Sequence, residues 1–245
     1  MTLKCLGFIG FTIMMSALNI NGNNMKKARV IPHTSWAAKS LWSVEGKTML
    51  MLLFALAILG IGDGLIVLAN LGSSPWTVLS QGVALQADVS IGWASFWISC
   101  LVMLAWIPLK LRFGLGTILN IIVIAFFLGL TVKIVPEPTA LLSRILFGGI
   151  GLLLYGLGTA LYLTCHQGAG PRDGLMVGFC QRLHLKVGIV RTSLEVSVCV
   201  LGYILGGTVG IGTVVFAAAI GWIVQLCLNP IARLPHLPHE GDNLH

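Results

Sequence analysis

From residue 48 onward, long apolar runs alternate with short polar segments. Six runs approach the roughly 20 apolar residues that a helix needs to cross a bilayer. They lie near 48–69, 91–109, 117–135, 145–164, 188–206 and 211–229. Two shorter stretches, 75–86 and 171–183, sit between runs and are too short to cross. Each begins at the Pro of a Gly-x-x-Pro sequence, and Pro is favoured in the first turn of a helix. The pattern predicts an all-α membrane protein with two additional short helices, each a half-helix entering the bilayer or an interfacial helix lying on it.

Composition agrees. The chain has 245 residues, 56% of them hydrophobic and 9% charged, with a mean hydropathy of +0.93. A soluble domain carries about 25% charged residues, so lipid must solvate much of this surface. The net charge of +7 would suit a nucleic-acid binder, but the basic residues cluster in the short segments between apolar runs. With the N-terminus inside, Lys26, Lys27, Arg29, Lys39, Lys47, Lys110, Arg112, Arg172, Arg182, Lys186, Arg191 and Arg233 fall on the inner side. Only Lys133 and Arg144 fall outside. That bias is the positive-inside rule, and it predicts a bacterial inner-membrane protein with both termini cytoplasmic.

Residues 1–24 form an N-terminal extension with one apolar stretch, Cys5 to Ile20. It reads either as a weak signal-like segment or as sequence ahead of a natural start at Met25. Residues 25–47 read as a basic cytoplasmic segment and 230–245 as a disordered tail. The tail histidines His236, His239 and His245 match no metal-site spacing, and no metal or cofactor is expected. The cysteines Cys5, Cys100, Cys165, Cys180, Cys199 and Cys227 form no CxxC pair, and most behave as small hydrophobes.

An internal repeat organises the rest. An offset of 96 (168 minus 72) aligns the two membrane repeats, within 48–135 and 141–229, without a gap. Gly60, Gly62, Gly72, Pro75, Leu79, Gly82 and Gly92 fall on Gly156, Gly158, Gly168, Pro171, Leu175, Gly178 and Gly188. Gly114, Gly116 and Thr117 fall on Gly210, Gly212 and Thr213. Three spans per half would make the second half enter from the opposite side, giving inverted repeats. Transporters of that build place their sites at the repeat interface, near interrupted helices.

The candidate chemistry gathers at the two breaks. The first contains Ser73, Ser74, Trp76 and Thr77, and the second contains Arg172 and Asp173. A helix that starts at such a break offers free N–H groups and a positive dipole end to an anionic or polar group. Ser73, Ser74 and Thr77 also suit simple capping, and Trp76 suits an interfacial anchor. Arg191 and Glu195, four apart, share a helix face and can pair; their repeat partners are Ser95 and Ser99. Asp63, in Gly62-Asp63-Gly64, is an intramembrane carboxylate and a candidate ion or proton site. Asn120 is a weaker polar candidate. The Gly-x-Gly-Thr pairs at 114–117 and 210–213 open apolar spans and suit close helix packing better than nucleotide binding.

These residues carry a resemblance. Leu-Gly-Ser-Ser-Pro-Trp-Thr-Val-Leu-x-Gln-Gly (71–82), Gly-Leu-Gly-Thr-x-Leu-Asn (114–120), Gly-Pro-Arg-Asp-Gly-Leu-Met (170–176), Arg191-Thr192-x-x-Glu195 and Gly-Gly-Thr-Val-Gly-x-Gly-Thr (206–213) occur in order. Together they resemble the bacterial YczE family of membrane proteins over roughly residues 45–230. The resemblance implies fold and membrane location rather than a substrate.

No Ser–His–Asp, His-Glu-x-x-His or Walker arrangement is present, so an enzyme is not expected. The leading expectation is a permease for an unknown small molecule, with Ser73, Ser74, Trp76, Thr77, Arg172, Asp173, Arg191 and Glu195 binding it between the halves. The alternative is a non-transporting scaffold or regulatory subunit that binds a partner protein or a second copy.

Overall fold

The structure is a computed structural model that describes residues 34, 36–38, 40–183 and 187–232. The expectations for residues 1–24 and for the His-bearing tail beyond 232 lie outside the described residues. Among those described, there are eight α-helices and no strand. They are α1 (Gly46–Ala69), α2 (Pro75–Ala87), α3 (Ile91–Leu109), α4 (Leu115–Ile134), α5 (Leu141–Leu163), α6 (Pro171–Leu183), α7 (Val187–Ile204) and α8 (Ile211–Ala232). Five of them, α1, α3, α4, α5 and α8, are long and apolar enough to cross a membrane. The 18-residue α7 carries Arg191 and Glu195 in its first half.

Element ends follow local chemistry. Ser74 caps α2, its Oγ accepting from Thr77 N–H at 3.3 Å with Pro75 in the first turn. Ser90 does the same for α3 toward Trp93 N–H. Asn70, Asp88 and Lys110 end α1, α2 and α3 in the left-handed region, a role Asn and Asp take readily. α5 starts at Leu141, before its charge rather than after it as expected. Arg144 Nε donates back to Pro138 O at 3.2 Å, which takes the guanidinium out of the apolar face. α8 likewise runs through Pro230 in its last turn to Ala232, where a proline removes only one late N–H.

Small residues set the packing. In lipid, apolar burial gives little drive between helices, and close backbone approach must supply the attraction. Gly62 of α1 lies against Gly151 O and Tyr155 N of α5, and Gly158 of α5 lies against Ala55 O and Leu59 N of α1. These contacts make α1 and α5 antiparallel. They are also reciprocal, because 62, 55 and 59 plus 96 give 158, 151 and 155. Gly60 and Gly64 pack on Ile124 and Thr131 of α4, which runs parallel to α1. Large apolar side chains such as Phe54, Leu101, Phe126, Leu153 and Ile204 point outward, as a lipid-facing surface requires.

The two breaks grip each other's half in the same reciprocal way. Leu71 O accepts from Gly212 N–H at 2.7 Å, and Gln167 O accepts from Gly116 N–H at 3.0 Å. Gly72 and Gly168 adopt φ of +109° and +113°, a region that only Gly enters freely. A Cβ on Gly72 would meet Gly210 N at 2.6 Å, and one on Gly168 would meet Thr117 Oγ1 at 2.8 Å. Thus each Gly-x-Gly-Thr helix start is the seat of the opposite break. Thr117 Oγ1 also donates to Ala169 O at 2.8 Å.

The segment before α1 closes one end. Trp36 Nε1–H donates to Thr164 Oγ1 at 3.0 Å, Ala38 N–H to Cys165 O at 3.0 Å, and Gln167 Nε2 to Ser43 O at 2.7 Å. Burial pushes the Cys165 thiol up to about 12, so it stays protonated and unreactive, as expected of a structural cysteine.

Candidate functional site

The short helices bring their first turns to the centre of the bundle. Thr77 Oγ1–H donates to the Asp63 carboxylate, 2.9 Å from either oxygen. Asp63 lies six residues before the end of α1, about 9 Å along the helix axis. The first turn of α2 is therefore set well inside the end of α1. Since α1 and α5 are antiparallel, α2 and α6 follow helix ends at opposite ends of the bundle. Even so, the Arg172 guanidinium carbon lies 5.4 Å from the centre of the Trp76 ring. Both short helices must then point their N-termini inward, from opposite ends.

A cavity of about 310 Å³ lies where they meet. All eight helices or their leading residues contribute to its wall. Nine pairs of wall residues are related by the offset of 96: Leu59/Tyr155, Ser74/Gly170, Pro75/Pro171, Trp76/Arg172, Ser95/Arg191, Ser99/Glu195, Asn120/Phe216, Ile124/Ile220 and Ala125/Gly221. The first half gives hydroxyls, an amide and an indole. The second half gives every charge: Arg172, Asp173, Arg191 and Glu195.

Of the residues singled out in the sequence, Ser74, Trp76, Arg172, Asp173, Arg191, Glu195 and Asn120 are brought together on this wall. Arg191 Nε donates to Glu195 Oε1 at 2.9 Å, the one ion pair among the described residues. Ser73, Thr77 and Asp63 are not on the wall and are almost fully buried. Ser74 Oγ lies 2.6 Å from Thr77 Oγ1. The Ser74–Thr77–Asp63 cluster thus ties the first break to α1, and Asp63 is satisfied from within the fold.

The second half repeats these positions with the chemistry exchanged. Asp63 becomes Thr159 and Thr77 becomes Asp173. Here the clamp is open. Thr159 Oγ1–H donates to Tyr155 O at 2.8 Å in its own helix, and Asp173 faces the cavity with its side chain exposed there. Gly170 stands where Ser74 caps α2, so α6 has no capping side chain at that position. Gly170 N–H donates to Tyr162 Oη at 2.6 Å instead.

Several wall and support residues were not singled out from the sequence. Tyr155, Thr159 and Tyr162 read as ordinary residues of an apolar run, although the repeat pairs Tyr155 with Leu59 and so marks a second asymmetry. Trp106 Nε1–H donates to Pro171 O at 3.0 Å, and its ring lies on Gly174 with no room for a Cβ. Its repeat partner is Gly202, packed on Val78 and Leu79. In both contacts the larger residue belongs to the first half and the glycine to the second.

The apolar helical shell around a polar, charged core defines a multi-helix membrane protein. The chain belongs to the family of unknown function DUF6198, whose model matches residues 46–229. It is 70% identical over 215 residues to an uncharacterized protein of Haemophilus influenzae, covering 88% of this chain and 99% of the relative. It is 28% identical over 166 residues to the uncharacterized membrane protein YczE of Bacillus subtilis, covering 67% of this chain and 77% of that one. A second Bacillus subtilis protein, YyaS, is 28% identical over 185 residues, 72% of this chain and 90% of its own length. No solved structure matches the chain.

Proposed function

We propose that this protein is a small-molecule permease of a bacterial cytoplasmic membrane, with its site in the central cavity between two inverted three-span repeats. In this reading α7 is the sixth span, because the offset of 96 sets it on α3. Both termini are cytoplasmic, since Lys47, Lys110 and Arg112 share one end of the bundle and Lys133 and Arg144 the other, in line with the positive-inside bias. The observation that carries the reading is the meeting of two half-helix N-termini from opposite ends in one cavity. Interrupted helices of this kind supply substrate sites near the bilayer midplane. Ser74, Trp76, Arg172, Asp173, Arg191 and Glu195 bind the substrate. Ser73, Thr77 and Asp63 hold the first break in position. The protein is not an enzyme in this reading, for its charges line a passage and form no nucleophile–base pair.

The test is side-specific labelling of single cysteines placed at Ser74 and Arg172, in a background lacking the native cysteines, in vesicles of each orientation. Alternating access requires each position to be reachable by a membrane-impermeant thiol reagent from both sides. Labelling from one side only would overturn the reading.

A further inference from the structure

The cavity holds two opposite charges that make no direct contact with a group of opposite charge. Arg172 and Asp173 both line it, yet neither has an oppositely charged group within 4.0 Å among the described residues. Neither side chain makes a hydrogen bond to a described residue, and the Arg172 guanidinium stands over the Trp76 face at 5.4 Å. They attract each other through space but do not pair directly, because residues i and i+1 on a helix point in different directions. Arg191 is within Coulombic reach of Asp173, but its direct contact is with Glu195 at 2.9 Å. A charge in such a setting is costly unless something pairs with it.

We propose that the cavity takes a small zwitterion of the α-amino-acid class, its carboxylate on Arg172 at the start of α6 and its ammonium group on Asp173. This rests on the cavity being the binding site of the permease reading. Three observations bear on it together. The first turn of α6 adds an uncapped helix start to the Arg172 charge, because Gly170 replaces the capping Ser74; N–H groups there favour a carboxylate. Asp173 is free for an ammonium group because the hydroxyl that engages Asp63 in the first half has no counterpart here, Thr159 being turned to Tyr155 O. On the rest of the wall, apolar side chains such as Leu59, Ile124, Phe216 and Ile220 outnumber the hydroxyl-bearing ones and the Asn120 amide. That wall suits an apolar side chain, whereas a charged one would add a third charge without a direct partner. At about 310 Å³ the space is at the small end of ligand pockets, which run from about 300 to 1,000 Å³.

The test is ligand-induced thermal stabilisation of the full-length protein in detergent, followed by titration. The probes are the twenty protein amino acids, with 4-methylpentanoate and 3-methylbutylamine as analogues of leucine that lack one charge each. Apolar amino acids are expected to stabilise saturably, and each single-charge analogue to bind at least tenfold more weakly than leucine. Arg172→Gln is expected to abolish the advantage of leucine over the amine, and Asp173→Asn its advantage over the carboxylate; Arg172→Lys and Asp173→Glu restore part of each. If the neutral variants do not fold, the comparison of leucine with its analogues on the unmodified protein decides alone. No response to any amino acid, or analogues binding as well as leucine, would overturn the proposal. Counterflow in proteoliposomes separates it from the permease reading: binding without flux keeps the ligand class and removes transport.

Discussion

Trp76 and Arg172 occupy the same position in the two halves of this chain, and the guanidinium of one stands 5.4 Å from the ring centre of the other. The two halves therefore touch at residues that the offset of 96 sets on each other. A cation over an indole contributes about 0.5–2 kcal/mol, rising as the pair is desolvated. In a double-mutant cycle of Trp76→Leu and Arg172→Gln, thermal or denaturant unfolding in detergent should give a coupling energy in that range. A coupling near zero would mean that the pair is incidental.

Thr77 and Asp63 give a sharper contrast. Thr77→Val removes the donor to a buried carboxylate, and hydrogen bonds to charged groups contribute about 1.5–3 kcal/mol. Destabilisation of that size is expected. Asp63→Asn keeps an acceptor toward Thr77 and should cost less, and because Asp63 is off the cavity wall, ligand binding should survive. If Asp63→Asn instead abolished binding while the fold held, Asp63 would be an ion site after all, as its place in an apolar run first suggested.

Gly72→Ala and Gly168→Ala should each fail in the same way. Alanine at a positive φ costs more than the 0.4–1 kcal/mol gained where its conformation is allowed, and overpacking against Gly210 N or Thr117 Oγ1 adds about 1–3 kcal/mol. Size-exclusion profiles of the solubilised variants should show loss of the monodisperse peak. Gly46→Ala, whose Cβ would meet nothing within 4 Å, is the control that should leave the peak unchanged.

The exchange of large for small residues can be reversed on purpose. Gly174→Val alone should be severely destabilising, because the Trp106 ring occupies the space. Adding Trp106→Gly copies the Val78–Gly202 contact between α2 and α7 and should recover part of the loss. Recovery will be incomplete, since the bond from Trp106 Nε1–H to Pro171 O goes as well. Unfolding midpoints of the single and double variants check this.

Much of the architecture was legible in the sequence. Apolar runs of the right length gave the helices, and α3 and α6 begin and end where expected. Ends marked by a charge or a proline were misjudged by a few residues, because Arg144 turns back to Pro138 O and Pro230 sits in a last turn that tolerates it. The wall of the cavity was legible wherever a residue broke an apolar pattern, as Arg172, Asp173, Arg191, Glu195 and Asn120 do. Tyr155, Thr159 and Tyr162 break no hydropathy pattern; the repeat sets the first two on Leu59 and Asp63, and Tyr162 is revealed by its three-dimensional proximity to the second break. The part played by Trp36, Ala38 and Ser43 was likewise out of reach. Their contacts with Thr164, Cys165 and Gln167 join backbone and side-chain groups more than 120 positions away, and hydropathy carries no trace of that.

The hydrogen bonds from Gly212 N–H to Leu71 O and from Gly116 N–H to Gln167 O bear on how the chain comes to be folded. Neither half owns the socket for its own loop. A nascent first half leaves its Leu71 carbonyl without this partner until about 140 further residues have been made, so the first break is completed only when the second half is present. The same exchange suits two copies of a half-length ancestor, each completing the other, later joined into a single polypeptide.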